Sequence, residues 1–140
     1  MNVLIVAATK SEITSDKISD LPILITGVGM VNMAINLTKE LNNNDYDLVI
    51  NMGVAGCFSD EIKIGDVVEV TQDCFSEIGA ESSDQFLSPK QLNLNVKNIF
   101  YTDGKTNLKK TRGITVNTIH GKSSSIKKIK ERLNPDIESM

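Results

Sequence analysis

Tryptophan is absent from these 140 residues, aromatic residues make up only 4% of them, and there are one histidine and two cysteines. Each scarcity excludes something. With so few rings the core has to be aliphatic, drawn from the Val, Ile, Leu, Met and Ala that dominate a hydrophobic content of 40%. Cys57 and Cys74 are too few and too far apart for a disulfide scaffold or a zinc motif, and reduced thiols suit a cytoplasmic protein. The carboxylates and the single histidine show no metal-ligand spacing, so neither a metal nor another cofactor is expected. Acidic and basic residues nearly cancel, 18 against 15, so no strong field points to a nucleic-acid or anionic-membrane partner. The apolar run at residues 3–8 has no basic residue before it and is too short for a signal peptide or a membrane span. Gly27-Val28-Gly29 lacks the third glycine and the acidic residue of a dinucleotide fingerprint, and no phosphate-loop Gly-Lys-Ser/Thr occurs.

What is present alternates. Residues 2–8 are apolar and β-branched without a period of two, as in a strand buried on both faces. A second strand is expected at 21–26, stopped by Gly27 and Gly29. A helix follows over 30–41, with Val31, Ala34, Ile35, Leu37 and Leu41 near one face. Residues 47–52 form another apolar run that ends in Gly53-Val54-Ala55-Gly56, and 66–71 form a strand after the turn at Gly65. The stretch 77–95 is polar and irregular, with Gly79 and Pro89, and reads as a long loop with at most a short helical turn. A strand returns at 111–118. An amphipathic helix at 123–133 is expected to be capped by the serines at 123 to 125 and ended by Asn134-Pro135. Residues 136–140 begin a further apolar segment.

This alternation indicates one α/β domain with a mixed, mostly parallel sheet. In such sheets ligands bind beyond the carboxyl ends of the strands. Gly27, Gly29, Gly53 and Gly56 lie just after predicted strands and either make tight turns or admit a close ligand. Lysines and arginines from Lys109 to Arg132 make the last third basic, as a solvated helix face would.

The segment from Leu48 to Gly56, Leu-Val-Ile-Asn-Met-Gly-Val-Ala-Gly, followed by Ile64-Gly65-Asp66-Val67-Val68, is similar to the N-x-G-x-A-G and x-G-D-x-V pair of the nucleoside phosphorylase and nucleosidase superfamily. Gly27-Val28-Gly29-Met30 resembles its glycine turn before the first long helix. Asp136-Ile137-Glu138-Ser139-Met140 resembles the start of its ribose-binding E-x-M-E motif. Within that superfamily, Ile78-Gly79-Ala80-Glu81, Thr115-Val116-Asn117-Thr118-Ile119-His120-Gly121 and Glu138-Ser139-Met140 look most like futalosine hydrolase.

The resemblance implies a three-layer α/β/α fold and hydrolysis of the N-glycosidic bond of a 5′-modified purine nucleoside, futalosine first and methylthioadenosine or adenosylhomocysteine next. It implies a small-molecule substrate and a homo-oligomer, a dimer or larger. It also implies a ribose-binding glutamate directly after the position of Met140, then an aspartate serving the purine and a terminal helix. Residues 1–140 would then be an incomplete domain with little activity alone. By this resemblance Glu12 is the water-activating base, against a reading as a solvated loop acid. Val54, Ala55 and Gly56 line the sugar and base pocket, and Met140 belongs to the ribose motif. Thr118 and Ile119 hold the purine or simply end a strand. His120 is a hydrogen-bonded residue or a catalyst, and Phe75 and Phe86 pack in the core or meet the 5′ substituent.

Overall fold

The computed structural model describes residues 1–18, 20–83 and 85–140. In chain order the elements are β1 (Val3–Ala7), β2 (Ile23–Ile25), α1 (Met30–Asn43), β3 (Leu48–Asn51), β4 (Gly56–Cys57), β5 (Val68–Phe75), β6 (Ala80–Ser82), β7 (Gln85–Leu87), β8 (Ile99–Tyr101), β9 (Lys109–Thr115), α2 (Ser123–Leu133) and β10 (Ile137–Ser139). Packing divides the chain into two compact units, Met1–Val54 with Met140, and Ala55–Ser139. No helix among the described residues is long and apolar enough to cross a membrane.

The first unit is a parallel three-stranded sheet in the order β2-β1-β3. The apolar run at its head becomes the central strand, where Leu4, Ile5, Val6 and Ala7 are buried. Each of the three larger side chains, Leu4, Ile5 and Val6, contributes about 1.5–3 kcal/mol by leaving water. A glycine turn joins β2 to α1. Gly27 and Gly29 have φ of 86° and 96°, a region that costs other residues strain. The turn is closed from α1, where Asn36 Nδ2 donates to Thr26 O (2.8 Å) and Asn32 Nδ2 to Val28 O (2.7 Å). Both glycines meet the conformational demand of this turn.

The second unit holds a mixed five-stranded sheet in the order β4-β10-β9-β5-β8. Parallel pairs β5–β9 and β9–β10 form its centre, and antiparallel β4 and β8 form its edges. This is the α/β pattern the alternation predicts. Helix α2 spans the predicted residues. Ile129, with Ile126 and Leu133, packs against Phe58, Cys74, Ile114 and Val116. The serines do not cap it: the residue at the N-cap is Lys122, which makes no side-chain capping bond, and Ser125 Oγ donates to Lys122 O (2.8 Å). At the other end Asn134 takes a left-handed conformation, and Lys130 and Arg132 sit in the last turn, where cations suit the helix dipole.

Several boundaries differ from the sequence reading. The stretch 77–95 is not a plain loop: it contains the antiparallel pair β6–β7, whose polar residues find backbone partners in each other. Residue 84, within that stretch, lies outside the described residues. The short edge strands β4 and β8 carry too few residues to show a period. The strand expected at 111–118 runs over Lys109–Thr115 instead, so Thr118 and Ile119 lie beyond its end. The basic last third is largely tied down. Lys109 pairs with Glu61, Lys110 with Glu69 and Arg112 with Asp136, Lys130 Nζ donates to Phe58 O, and Arg132 Nη1 donates to Ser76 O.

Candidate active site

Chain geometry puts Glu12 in a turn of 3-10 helix, Lys10–Glu12, that begins soon after β1. The spacing Thr9-x-x-Glu12 is that of a reciprocal helix-start pair, a signal that identifies what holds the carboxylate. Glu12 Oε2 accepts from the Thr9 N–H (2.7 Å) and the Thr9 hydroxyl (3.1 Å). Oε1 turns the other way and accepts from the Val54 N–H at 3.2 Å. Burial is the largest single influence and pushes the Glu12 carboxyl up. The N–H groups of Val54 and Thr9, the Thr9 hydroxyl and the Ala8 N–H together outweigh it and hold the group below the ordinary carboxylate value. The result is a fixed carboxylate, ionised at neutral pH, at the carboxyl end of the first sheet.

Gly53 explains why the chain can pass so close. A Cβ there would lie 2.6 Å from Glu12 Oε1, so only glycine leaves the carboxylate its place. Gly53 is not among the positive-φ glycines. Its requirement is close approach, where that of Gly27 is conformation. Two of the predicted site residues, Glu12 and Val54, are therefore joined directly, although the Val54 side chain is 80% exposed.

In the second unit, Gly56 plays the same part against another acid. A Cβ at Gly56 would lie 3.1 Å from Cγ of Glu138, a carboxylate on β10 that is only 2% exposed. Glu138 Oε1 accepts the His120 N–H (3.0 Å), and Oε2 lies 2.6 Å from His120 Nδ1. The ring of His120 meets Phe58 edge to face at 6.1 Å between centroids. Thr118 and Ile119 precede it and face outward, Ile119 with 43% exposure. Ala55 is exposed, and Met140, also 43% exposed, groups with the first unit. Glu138 was visible in the sequence only as part of a motif. An acid between Ile137 and Ser139 at the head of an apolar segment is the signal that marks it as a buried, partnered carboxylate.

Phe75 and Phe86 take different roles. Phe75 packs edge to face on Phe100 (5.2 Å), and Phe86 carries the Arg132 guanidinium 3.9 Å above its ring. A hollow of about 210 Å³ opens beside them, lined in part by Cys74, Ser76, Phe86, Asn98 and Arg132. Of the residues the resemblance brings near the substrate it includes Phe86, the candidate for the 5′ substituent, and none of Glu12, Val54, Ala55, Gly56, Thr118, Ile119 and Met140. Among the described residues no group of three or more His, Cys, Asp or Glu is placed to hold a metal ion.

The first unit is thus a parallel sheet with a partnered carboxylate beyond its first strand and a close-approach glycine, Gly53, after its third, an arrangement of the α/β class. The model of the phosphorylase superfamily matches residues 13–116. The chain belongs to that superfamily.

A 5′-methylthioadenosine/S-adenosylhomocysteine nucleosidase of Marinomonas sp. is 43% identical over 49 residues, 35% of this chain and 21% of that protein. The namesake enzyme of Exiguobacterium sp. is 46% identical over 50 residues, 36% of this chain and 22% of its own length. The matched segment thus spans about a fifth of these relatives. Among solved structures, a Helicobacter pylori nucleosidase mutant with 5′-methylthioadenosine in its active site superposes with a TM-score of 0.80 at 15% identity, covering 99% of this chain and 74% of the other. Native futalosine hydrolase of Helicobacter pylori gives 0.80 at 14% identity, covering 99% and 73%. At these identities the likeness is one of fold.

Proposed function

We propose that the chain carries the site of a purine nucleosidase, an enzyme that hydrolyses the N-glycosidic bond of a 5′-modified purine nucleoside. The preferred substrate is futalosine, released as hypoxanthine and dehypoxanthinyl futalosine in menaquinone biosynthesis. The observation that carries this reading is the Glu12 carboxylate, held ionised by the Thr9 and Val54 N–H groups against Gly53. Superfamily membership and relatives named as nucleosidases support the reaction class.

In this reading a water oriented on Glu12 attacks C1′ of the ribose and its proton passes to the carboxylate. The C1′–N bond breaks, its electron pair leaves with the purine, and the purine takes up a proton. A positioned base of this kind is worth ~10²–10⁴ in rate. Val54, Ala55 and Gly56 line the sugar, Met140 belongs to the ribose contacts, and Thr118 and Ile119 hold the purine. Water is favoured over phosphate because Val54 is apolar and no arginine directly follows the Gly27 turn. Copies of the chain associate as a dimer or larger, and the reaction takes place in the cytoplasm.

The second reading, a methylthioadenosine or adenosylhomocysteine nucleosidase, is favoured by the names of the sequence relatives. A third outcome is a module that binds nucleoside without turnover. One assay separates them: futalosine and methylthioadenosine are offered separately, without phosphate, and purine release is followed chromatographically. Hypoxanthine from futalosine, abolished by Glu12→Gln in a chain extended to the length of the solved nucleosidases, supports the proposal. Adenine from methylthioadenosine alone moves the substrate to the second reading. Release that needs phosphate and yields ribose 1-phosphate overturns hydrolysis, and binding without release identifies the module.

A further inference from the structure

The residues assigned to the purine, Thr118 and Ile119, sit in the loop that follows β9, the middle strand of the parallel trio β10-β9-β5. An exposed loop of this kind is ordinarily mobile. This one is held at both ends by carboxylates from the two neighbouring strands. On one side Glu77, just beyond β5, accepts two bonds at a single oxygen: Oε2 takes the Asn117 N–H (2.9 Å) and Asn117 Nδ2 (2.6 Å). On the other side Glu138, inside β10, uses both oxygens: Oε1 takes the His120 N–H (3.0 Å) and Oε2 meets His120 Nδ1 (2.6 Å).

Each carboxylate therefore grips the backbone and the side chain of one loop residue at once. Between the two grips Thr118 and Ile119 stay exposed. Val116, just before the loop, is fully buried and donates its N–H to Ser139 O (2.9 Å), which ties the loop's root to the β10 side as well. The His120 ring is further confined by Phe58, and Gly56 leaves room for the Glu138 stem. Two exposed residues with fixed flanks present their side chains and backbone groups without a large ordering cost on binding.

We propose that Glu77 and Glu138 are positioning residues that brace the 117–120 loop from both sides and so set how Thr118 and Ile119 meet the purine; this rests on the assignment of those two residues to the purine. The two braces differ in a testable way. At Glu77 one oxygen accepts both bonds, so the amide oxygen of a glutamine can replace it. At Glu138 both oxygens are engaged, one by the His120 N–H and one by a ring nitrogen that donates or accepts according to its tautomer, so only removal of the carboxylate takes away both contacts.

The test uses the full chain, ¹⁵N-labelled, with amide hydrogen exchange at Asn117 and His120 and calorimetric binding of methylthioadenosine and of futalosine. Slow exchange at both amides in the unaltered chain is expected. Glu77→Ala should speed exchange at Asn117 about tenfold and weaken nucleoside binding by a similar factor, and Glu77→Gln should restore both to within about twofold. Glu138→Ala, which removes both contacts, should speed exchange at His120 and weaken binding. If the buried change prevents folding, the exposed Glu77 pair of variants still decides.

Fast exchange at both amides in the unaltered chain, or Glu77→Ala indistinguishable from it, overturns the bracing. Nucleoside binding unchanged in Glu77→Ala despite faster exchange overturns the positioning role. Protected amides in a chain that binds neither nucleoside support the brace and count against the purine assignment instead.

Discussion

Gly53→Ala is the sharpest probe of the first carboxylate. An alanine Cβ at this position stands 2.6 Å from Glu12 Oε1 and 3.2 Å from its Cδ. Non-bonded carbon and oxygen do not come so close, and the carboxylate has to retreat by roughly 0.8 Å. A retreat of that size takes Oε1, already 3.2 Å from the Val54 nitrogen, out of hydrogen-bond range. A bond to a charged acceptor is worth roughly 1.5–3 kcal/mol. Glu12 is partly solvated, so the expected loss is about 1 kcal/mol. Backbone strain adds nothing of note, since Gly53 is not among the positive-φ residues.

The assay is urea unfolding at neutral pH of the unaltered chain, Gly53→Ala, Glu12→Ala and the double variant. Because the collision is with the carboxylate, Gly53→Ala should cost about 1 kcal/mol alone and close to nothing when Glu12 is alanine. A glycine penalty of the same size in both backgrounds would refute the close-approach argument. The pH dependence gives a second check. Glu12 has a depressed folded value, so its contribution is fully present above the ordinary carboxylate range and fades as pH falls through the depressed value. The Gly53→Ala penalty should fade in the same window, and the Glu12 carboxyl, followed by ¹³C NMR, should titrate higher in the variant.

Three further outcomes follow from the packing and the ion pairs. Ile129→Ala, at the centre of the contact between α2 and the second sheet, should cost ~2–5 kcal/mol in urea unfolding. Glu69 is held at about 2, first by Lys110, then by the Thr106 hydroxyl and the Lys105 N–H. The Lys105 and Thr106 amide shifts should therefore titrate near pH 2, and Lys110→Met should move that titration up. In the native chain Cys57 should react with a disulfide reagent while Cys74 stays protected until unfolding, because burial, and then the Asp73 charge, push the Cys74 thiol up.

Much of the fold was legible because its signals are local. The run 3–8 has no polar residue to place at a surface, and it becomes the buried centre of its sheet. The interval of Ile126, Ile129 and Leu133 marks the inner face of α2, and Asn134-Pro135 stops it. The Gly27-Val28-Gly29 turn is likewise local, since positive φ is a property of the residue itself. The β6–β7 pair escaped notice because strands of three residues are too short to show an alternation. The serines before α2 misled because a side chain of capping type caps only when it occupies the N-cap position, and that position belongs to Lys122.

By itself the sequence determined the α/β alternation, the boundaries of α2, the glycine turn and the candidate residues Glu12, Val54 and Gly56. These depend on backbone preference, periodicity and the recurrence of short motifs. The tertiary structure decided what those residues touch. Glu12 meets Val54 across 42 positions of sequence, Glu77 meets Asn117 across 40, and Glu138 meets His120 across 18. A carboxylate carries no local sign of its distant partner: its role depends on which N–H groups the fold brings within hydrogen-bond distance of it, and that proximity exists only once the chain has folded.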